Sequence, residues 1–284
     1  MTINNFTPTL WAGRALANLN DSHVYANALN RDYEGDIKQM GDRVRIQSIG
    51  RVTIRSYTKN STITAPETLQ DSEQILIINQ GDYFNFAVDD VDAAQNKISV
   101  MDSAMKDAAW GLADVVDAFL ATLLTDNVST SNQLTALTNV GSGVVDDDAY
   151  EALVDLDVQL TEQNVPRDGS RFVIVPSWFE GELRKDVRFT SFGTKENREQ
   201  LRGKPVGDAS GFNVWQSNNV PVSSSAYTLL AGYKGAATFA EQISKVKAFE
   251  PQDRFADAIK GLHIYGATVT RPYALASVVV TQAT

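Results

Sequence analysis

Cysteine is absent from this 284-residue chain, and histidine occurs only twice. The first absence removes disulfides, thiolate zinc sites and a cysteine nucleophile, without choosing between a reducing and an oxidising compartment. The second leaves no imidazole cluster: His23 and His263 lie near opposite ends of the chain and neither has a second ligand at metal spacing. Each reads as an ordinary structural residue, so no metal and no cofactor is expected. Basic charge is also in deficit, with 25 Lys and Arg against 35 Asp and Glu, a net charge of -10 and a pI near 4.7. Tight binding to phosphate backbones draws on lysine and arginine, so a nucleic-acid-binding role is disfavoured.

The N-terminal "MTINNFTPTLWAGRALANLN" has no basic leader before an apolar core, and the purely apolar runs are too short to cross a bilayer. Neither a standard secretory signal nor a membrane span is expected. Catalytic motifs are missing as well: there is no G-x-S-x-G elbow and no G-x-x-x-x-G-K-[ST] loop, and "GSGVVD" has neither a strand before it nor a third glycine after it. The acidic clusters "DDVD" and "DDD" each precede a helical pattern, where capping explains them better than calcium does. No convergent set of carboxylates supports an enzyme, and an α/β hydrolase is the reading of another class that this disfavours.

What the chain has is ordinary globular composition, 43% hydrophobic and 21% charged, enough for one large domain or two modest ones. Residues 1–40 mix a short apolar N-terminus with "NDSHVYANALNRDYEGD", a polar and partly helical segment, and read as an arm rather than a core element. From Gly41 the pattern switches to period two, with Val44, Ile46, Val52 and Ile54 on one face and Arg43, Arg45, Arg51 and Arg55 on the other, interrupted at Gly50. "ILII" and "YFNFAV" supply a return path after the polar stretch "TKNSTITAPETLQDSE". Residues 43–57, extended at ~3.3 Å each, would span roughly 45–50 Å. A compact globule of this length has a radius of gyration of about 19 Å. A ribbon as long as its body needs a cover for its apolar face, and the simplest cover is another copy of the chain.

Residues 98–124 carry the strongest helical pattern, with Ile98, Met101, Met105, Ala108, Leu112, Val116, Phe119 and Leu123 recurring at three and four. At ~1.5 Å per residue this helix would be about 40 Å long, a spine. Between Asp89 and Asp126 lie eight acids and two lysines, whereas residues 43–66 hold five Lys or Arg and no acid. That asymmetry predicts that the arm of one subunit lies over the spine of its neighbour, with Arg43, Arg45, Arg51, Arg55 and Lys59 on the arm and Asp102, Asp114 and Asp117 on the spine.

Residues 126–143 read as a polar linker. "DDDAYEALVDLDVQL" then opens a second helix with Asp148 and Glu151 as a capping box, "RFVIVP" reads as a buried strand, and Ser177 with Glu180 suggests another capping box. The alternation predicts an α/β lobe over 136–236 with a long polar loop, and the C-terminal strands would sit beside the spine.

Three stretches carry a resemblance: "FTPTLWAGRALANLN…ALNRDYEGDIKQMGDRVRI", "GFNVWQSNNVP" at 211–221, and "AGYKGAATFAEQ…FADAIKGLHIYGATVTRP". The chain resembles tailed-bacteriophage major capsid proteins of the Hong Kong ninety-seven type. That resemblance implies an α+β fold with an N-terminal arm (1–40), a β-hairpin extended loop (41–88), a P domain with the spine helix (89–135), an A domain (136–236) and a P-domain return (237–284). It implies a non-enzymatic protein that assembles with itself into hexamers and pentamers of an icosahedral head, in the virion, after assembly in the host bacterial cytoplasm. The implied partners are a scaffolding protein, a portal, a cement protein and packaged DNA held without sequence-specific contacts, with no membrane. Lys59 lies at the loop tip, where some members place a cross-linking lysine. An encapsulin-like nanocompartment shell shares the fold and is the nearest alternative.

Overall fold

The computed structural model describes residues 23–33, 40–49, 56–60, 62, 71–89, 99–141, 148–186, 207–249 and 256–283. Gly50, Arg51, Arg55, most of "DDVD" and the polar loop at 187–206 lie outside the described residues.

Chain order runs α1 (Tyr25–Ala28), β1 (Arg43–Ile49), β2 (Asp71–Ile77), β3 (Gln80–Asp89), α2 (Ser99–Asp126), β4 (Leu137–Val140), α3 (Ala149–Glu162) and β5 (Arg171–Val175). It continues with α4 (Ser177–Lys185), β6 (Asp208–Ala209), β7 (Phe212–Gln216), β8 (Val222–Ser223), β9 (Ala226–Tyr233), β10 (Ala237–Phe249), β11 (Ala256–Val269) and β12 (Leu275–Gln282). These strands form an antiparallel β1–β2 ribbon, a three-stranded sheet ordered β10-β11-β3, and a mixed seven-stranded sheet ordered β4-β12-β9-β5-β7-β6 with β8 attached to β9.

The long helix α2 links the two larger sheets. Its C-terminal half sends Val116, Leu120, Ala121 and Leu124 into the main core, which also takes in α1, α3, β5, β9 and β12. Its N-terminal half packs Met105, Leu112 and Ala113 against Phe84, Phe86, Val246 and Ile259 of the three-stranded sheet. Residues 104–126 are apolar and long enough to cross a membrane by composition alone. Here one side of the helix is core, and the opposite side carries exposed Lys106, Asp107 and Asp114, the signature of an amphipathic core helix.

The large sheet is where the sequence reading needs correction. Residues 137–140, read as linker, form β4 and pair in parallel with β12, so the backbone of this polar segment is satisfied by a strand from the other end of the chain. β12, expected in the C-terminal return beside the spine, is an inner strand of the seven-stranded sheet. β3, expected as the return of the hairpin, instead pairs with β11 along its full length from Gln80 to Asp89. Residues 23–30, read as part of a polar arm, are core: Tyr25, Ala26, Ala28 and Leu29 are buried in the main cluster. Asp148 does cap α3, accepting from the Tyr150 amide at 3.5 Å. Ser177 does not cap α4: Pro176 holds the cap position, the Ser177 hydroxyl donates to Asn218 at 2.7 Å, and Glu180 pairs with Arg184.

The ribbon meets the body at Gly266. A Cβ there would stand 2.3 Å from the Ile77 carbonyl oxygen and 3.0 Å from the Ile78 Cα, both backbone atoms that cannot swing aside. Gly266→Ala is therefore expected to lift the ribbon base and cost ~1–3 kcal/mol, as overpacked sites do. Urea titration with limited proteolysis checks this, and an unchanged midpoint with an unchanged cleavage pattern would refute it.

Candidate assembly surfaces

The register of the ribbon sets what it shows to solvent. Arg43 stands opposite Ile77 and Arg45 opposite Ile75, so these four share one face, and all four are exposed. The other face turns inward: Ile46 and Leu76 cluster with Ile78, Ala240 and Ile264, and Tyr33 and Val44 pack against them. The apolar face of the described ribbon is thus covered by its own sheet rather than by a second copy. The outward face mixes guanidinium groups with isoleucines that are 41% exposed, the composition of a contact surface rather than of a solvated edge. Turn geometry continues the ladder past the strands, since Gly41, at φ +95°, donates to Ile78 and Ile78 donates back to Asp42. Lys59 is exposed in a turn beside Asn60, at φ 66°.

On α2 the three predicted acids have separate fates. Asp102 lies in the helix. Asp114 is exposed and accepts from the Asn219 amide at 2.8 Å, tying the spine to the loop after β7. Asp117 corrects the sequence reading: it is 3% exposed and accepts the Val24 and Tyr25 amides at 2.7 and 3.2 Å. Its charge is consumed inside its own subunit, and it has no outward face. Helical spacing nevertheless leaves Asp107, Trp110, Asp114 and Val115 on one exposed side, with Trp110 63% exposed.

The outer face of the three-stranded sheet is half covered. The ribbon base seals the Ala240–Ile264–Gly266 end. The other end is an open groove of ≈ 340 Å³ lined by Tyr83, Asn85, Lys247, Lys260, Gly261 and Leu262. Lys260 lies over the Phe249 ring, 4.6 Å from its centroid, so its charge is held close to the sheet.

Inside, a cluster forms that sequence reasoning missed. Glu241 on β10 is 4% exposed and receives His23 and His263, each through Nε2 at 3.0 Å, and Arg31 at 2.5 Å. A carboxylate oxygen only accepts, so both rings carry their proton on Nε2. His23 also lies 3.6 Å from Asp117 through Nδ1. Burial alone would lower the His23 pKa, but the Asp117 and Glu241 carboxylates outweigh it and raise it to about 9. For Glu241, burial would raise the pKa, and the hydrogen bonds and charge of the two imidazoles bring it down to about 2. The two histidines are structural, as expected, but they are not independent. A signal existed: Glu241 shares strand parity with inward-facing Phe239, and a charged residue on a buried face demands partners. No group of His, Asp and Glu suited to a metal occurs among the described residues.

Comparison with known proteins gives these surfaces their meaning. Residues 72–278 match a family described as phage capsid protein. No curated protein matches. Among solved structures, one from Mycobacterium phage Che8 is 30% identical, covers 91% of this chain and 90% of its own, and superposes with a TM-score of 0.67. The capsid of Ralstonia phage GP4 is 13% identical over 90% of this chain and 87% of its own, with a TM-score of 0.69. The capsid of cyanophage P-SCSP1u is 16% identical over 92% and 88%, with a TM-score of 0.68. The last two speak to the fold alone. The family match and the Che8 likeness point to a structural, non-enzymatic coat subunit with the Hong Kong ninety-seven-type fold, and favour neither the nanocompartment nor the hydrolase reading. The chain belongs to the phage capsid protein family.

Proposed function

We propose that this chain is the repeating unit of an icosahedral head, organised in hexamers and pentamers around packaged double-stranded DNA. The observation that carries the reading is the outward face of the β1–β2 ribbon. Arg43, Arg45, Ile75 and Ile77 form a cationic and aliphatic strip, and Asp107, Trp110, Asp114 and Val115 form an acidic and apolar strip on α2. Opposite charges over matched apolar groups favour one subunit's ribbon on the next subunit's spine, in a defined register. Arg51, Arg55 and Lys59 would extend the same contact toward the tip. In this reading the three-stranded sheet with α2 is the P domain, the ribbon is the extended loop, and the seven-stranded sheet with α3 and α4 is the A domain near the capsomer axes, including β12.

The finer partners follow from charge and architecture. An acidic coat, at net -10, does not grip DNA through its bulk charge, which leaves packaged DNA free to slide. A scaffolding protein and a portal in the host bacterial cytoplasm would direct closure, and a cement protein would find the groove around Tyr83 and Lys260 accessible from one side of the sheet.

The test is assembly. Negative-stain microscopy and sedimentation of the chain, alone and with its scaffold, are expected to show capsomers, tubes or closed shells, and a stable monomer under every condition would refute the reading. Arg43→Glu with Arg45→Glu is expected to raise the critical concentration for assembly roughly tenfold, the equivalent of about 1.4 kcal/mol per contact, without altering the monomer's circular dichroism. An unchanged critical concentration would remove these residues from the contact.

A further inference from the structure

We infer that residues 23–31 form a proton-controlled latch, closed by imidazolium at His23, which fastens the N-terminal segment to the spine and opens when that proton leaves. Four elements converge there. His23 and Arg31 come from either side of α1, Asp117 from α2, Glu241 from β10 and His263 from β11. The nearest other titratable groups are Tyr25, buried beside Asp117, and Tyr265, whose ring stacks on His263 at 5.2 Å and whose hydroxyl donates to Asp82 on β3 at 2.8 Å. Phe239 closes the apolar side, 6.1 Å from the His23 ring.

The charge count decides the behaviour. Asp117 and Glu241 bring two negative charges into a nearly dry site, where an uncompensated ion is expensive. Arg31 and His263 both approach Glu241, and among the described residues His23 is the one cationic group that also faces Asp117. His23 is placed to serve both acids at once, through Nε2 to Glu241 and Nδ1 toward Asp117. Loss of its proton leaves Asp117 without a cation and Glu241 with one fewer, and the segment nearest to relieving the strain is the one that carries His23 and Arg31. The polar contacts that would go with it are the Val24 and Tyr25 amides on Asp117 and the short exchange between Asn30 and strand β10, with the Asn30 amide on Ala237 and the Phe239 amide on the Asn30 carbonyl, while burial of Tyr25, Ala26, Ala28 and Leu29 in the main core sets the cost of opening.

The sign follows from linkage. His23 prefers its proton more in the closed latch than in the open one, so closure is firm below about pH 6.5 and weakens as pH rises toward about 9. Hydrogen–deuterium exchange on the full chain, corrected for the intrinsic rate at each pH, reads the opening equilibrium of a peptide spanning 23–31. From pH 6 to pH 8 that equilibrium is expected to rise about twentyfold, while a peptide from α3 stays unchanged. His23→Gln, which keeps a donor for Glu241 without the charge, is expected to abolish the pH response of the 23–31 peptide. Asp117→Asn, which removes the demand for a second cation, is expected to flatten it as well, and serves if the glutamine variant does not fold. A wild-type peptide with the same corrected protection at both pH values overturns the latch, and so does a glutamine or asparagine variant that keeps the wild-type slope.

Discussion

Asp157→Leu is expected to destabilise the subunit by ~3–5 kcal/mol, the range for removing one partner of a buried ion pair. Asp157 on α3 is 4% exposed and Arg171, at the start of β5, is 1% exposed. The guanidinium donates to the Asp157 carboxylate at 2.5 Å, to Thr161 at 3.0 Å, and to the carbonyls of Pro166 and Val165. It therefore staples the C-terminal half of α3, the turn after it and the first residue of a strand buried along its whole length. Arg167 also pairs with Asp157 but from a largely exposed position, so water can replace its partner, whereas nothing can reach Arg171. The double variant Asp157→Leu with Arg171→Met separates charge from packing. It removes both ions together and is expected to recover most of the loss, because an apolar pair avoids the desolvation that the ion pair must offset. Equilibrium unfolding in urea of the unassembled subunit is the measurement. A single-variant loss below about 1 kcal/mol would mean that water enters the site, since exposed pairs are worth no more than that.

That staple shows why only some of this fold is legible in sequence. The local features are: the recurrence of apolar residues predicts a helix over 98–124 and the structure has one at Ser99–Asp126, while "RFVIV" is a strand buried on both faces. The alternation of Val44 and Ile46 with Arg43 and Arg45 gives the two faces of the ribbon, because side-chain period follows from backbone geometry alone. What escapes is what a distant segment decides. "LTNV" lies in a polar stretch rich in Ser, Thr, Asn and Gly with no alternating run of its own, and becomes a strand because β12 offers it an open edge. "NDSHVYANALNRDYEGD" reads as a polar, partly helical arm, yet its Tyr25, Ala26, Ala28 and Leu29 all point inward and its His23 and the Val24 amide find Glu241 and Asp117. Charge count marks the acidic stripe of α2 but cannot separate Asp114, turned to the surface, from Asp117, three residues on and turned inward. Helical phase against the core makes that distinction, and the core includes a segment from the far N-terminus.

Glu241→Gln is expected to produce the other large effect, and its dependence on pH identifies the cause. The glutamine fills the same space, but it leaves Arg31 and His23 without the carboxylate on which both converge, and a loss of ~3–5 kcal/mol is expected near pH 6. In the native chain two linkages bound the cluster. Glu241 titrates at about 2 when folded against an ordinary 4.5, so its contribution is full above about pH 4.5 and disappears as pH falls through about 2. His23 titrates at about 9 against an ordinary 6.5, so its contribution is full below about pH 6.5 and disappears as pH rises through about 9. Stability from this cluster therefore peaks between about pH 4.5 and 6.5, and each limb amounts to roughly 3 kcal/mol at about 1.4 kcal/mol per pKa unit. The glutamine variant has no carboxylate to titrate, so its acid limb should vanish. Its alkaline limb should shrink, because Asp117 alone remains to hold the His23 proton. The cost of Glu241→Gln should accordingly be largest near pH 6 and smaller at pH 3 and pH 9. Unfolding in urea at the three values measures it. A cost that is the same at all three would assign the loss to packing and strip the cluster of its electrostatic role. A cost that grows monotonically with pH would mean that His23 is neutral in the native subunit and that the carboxylate is balanced without it.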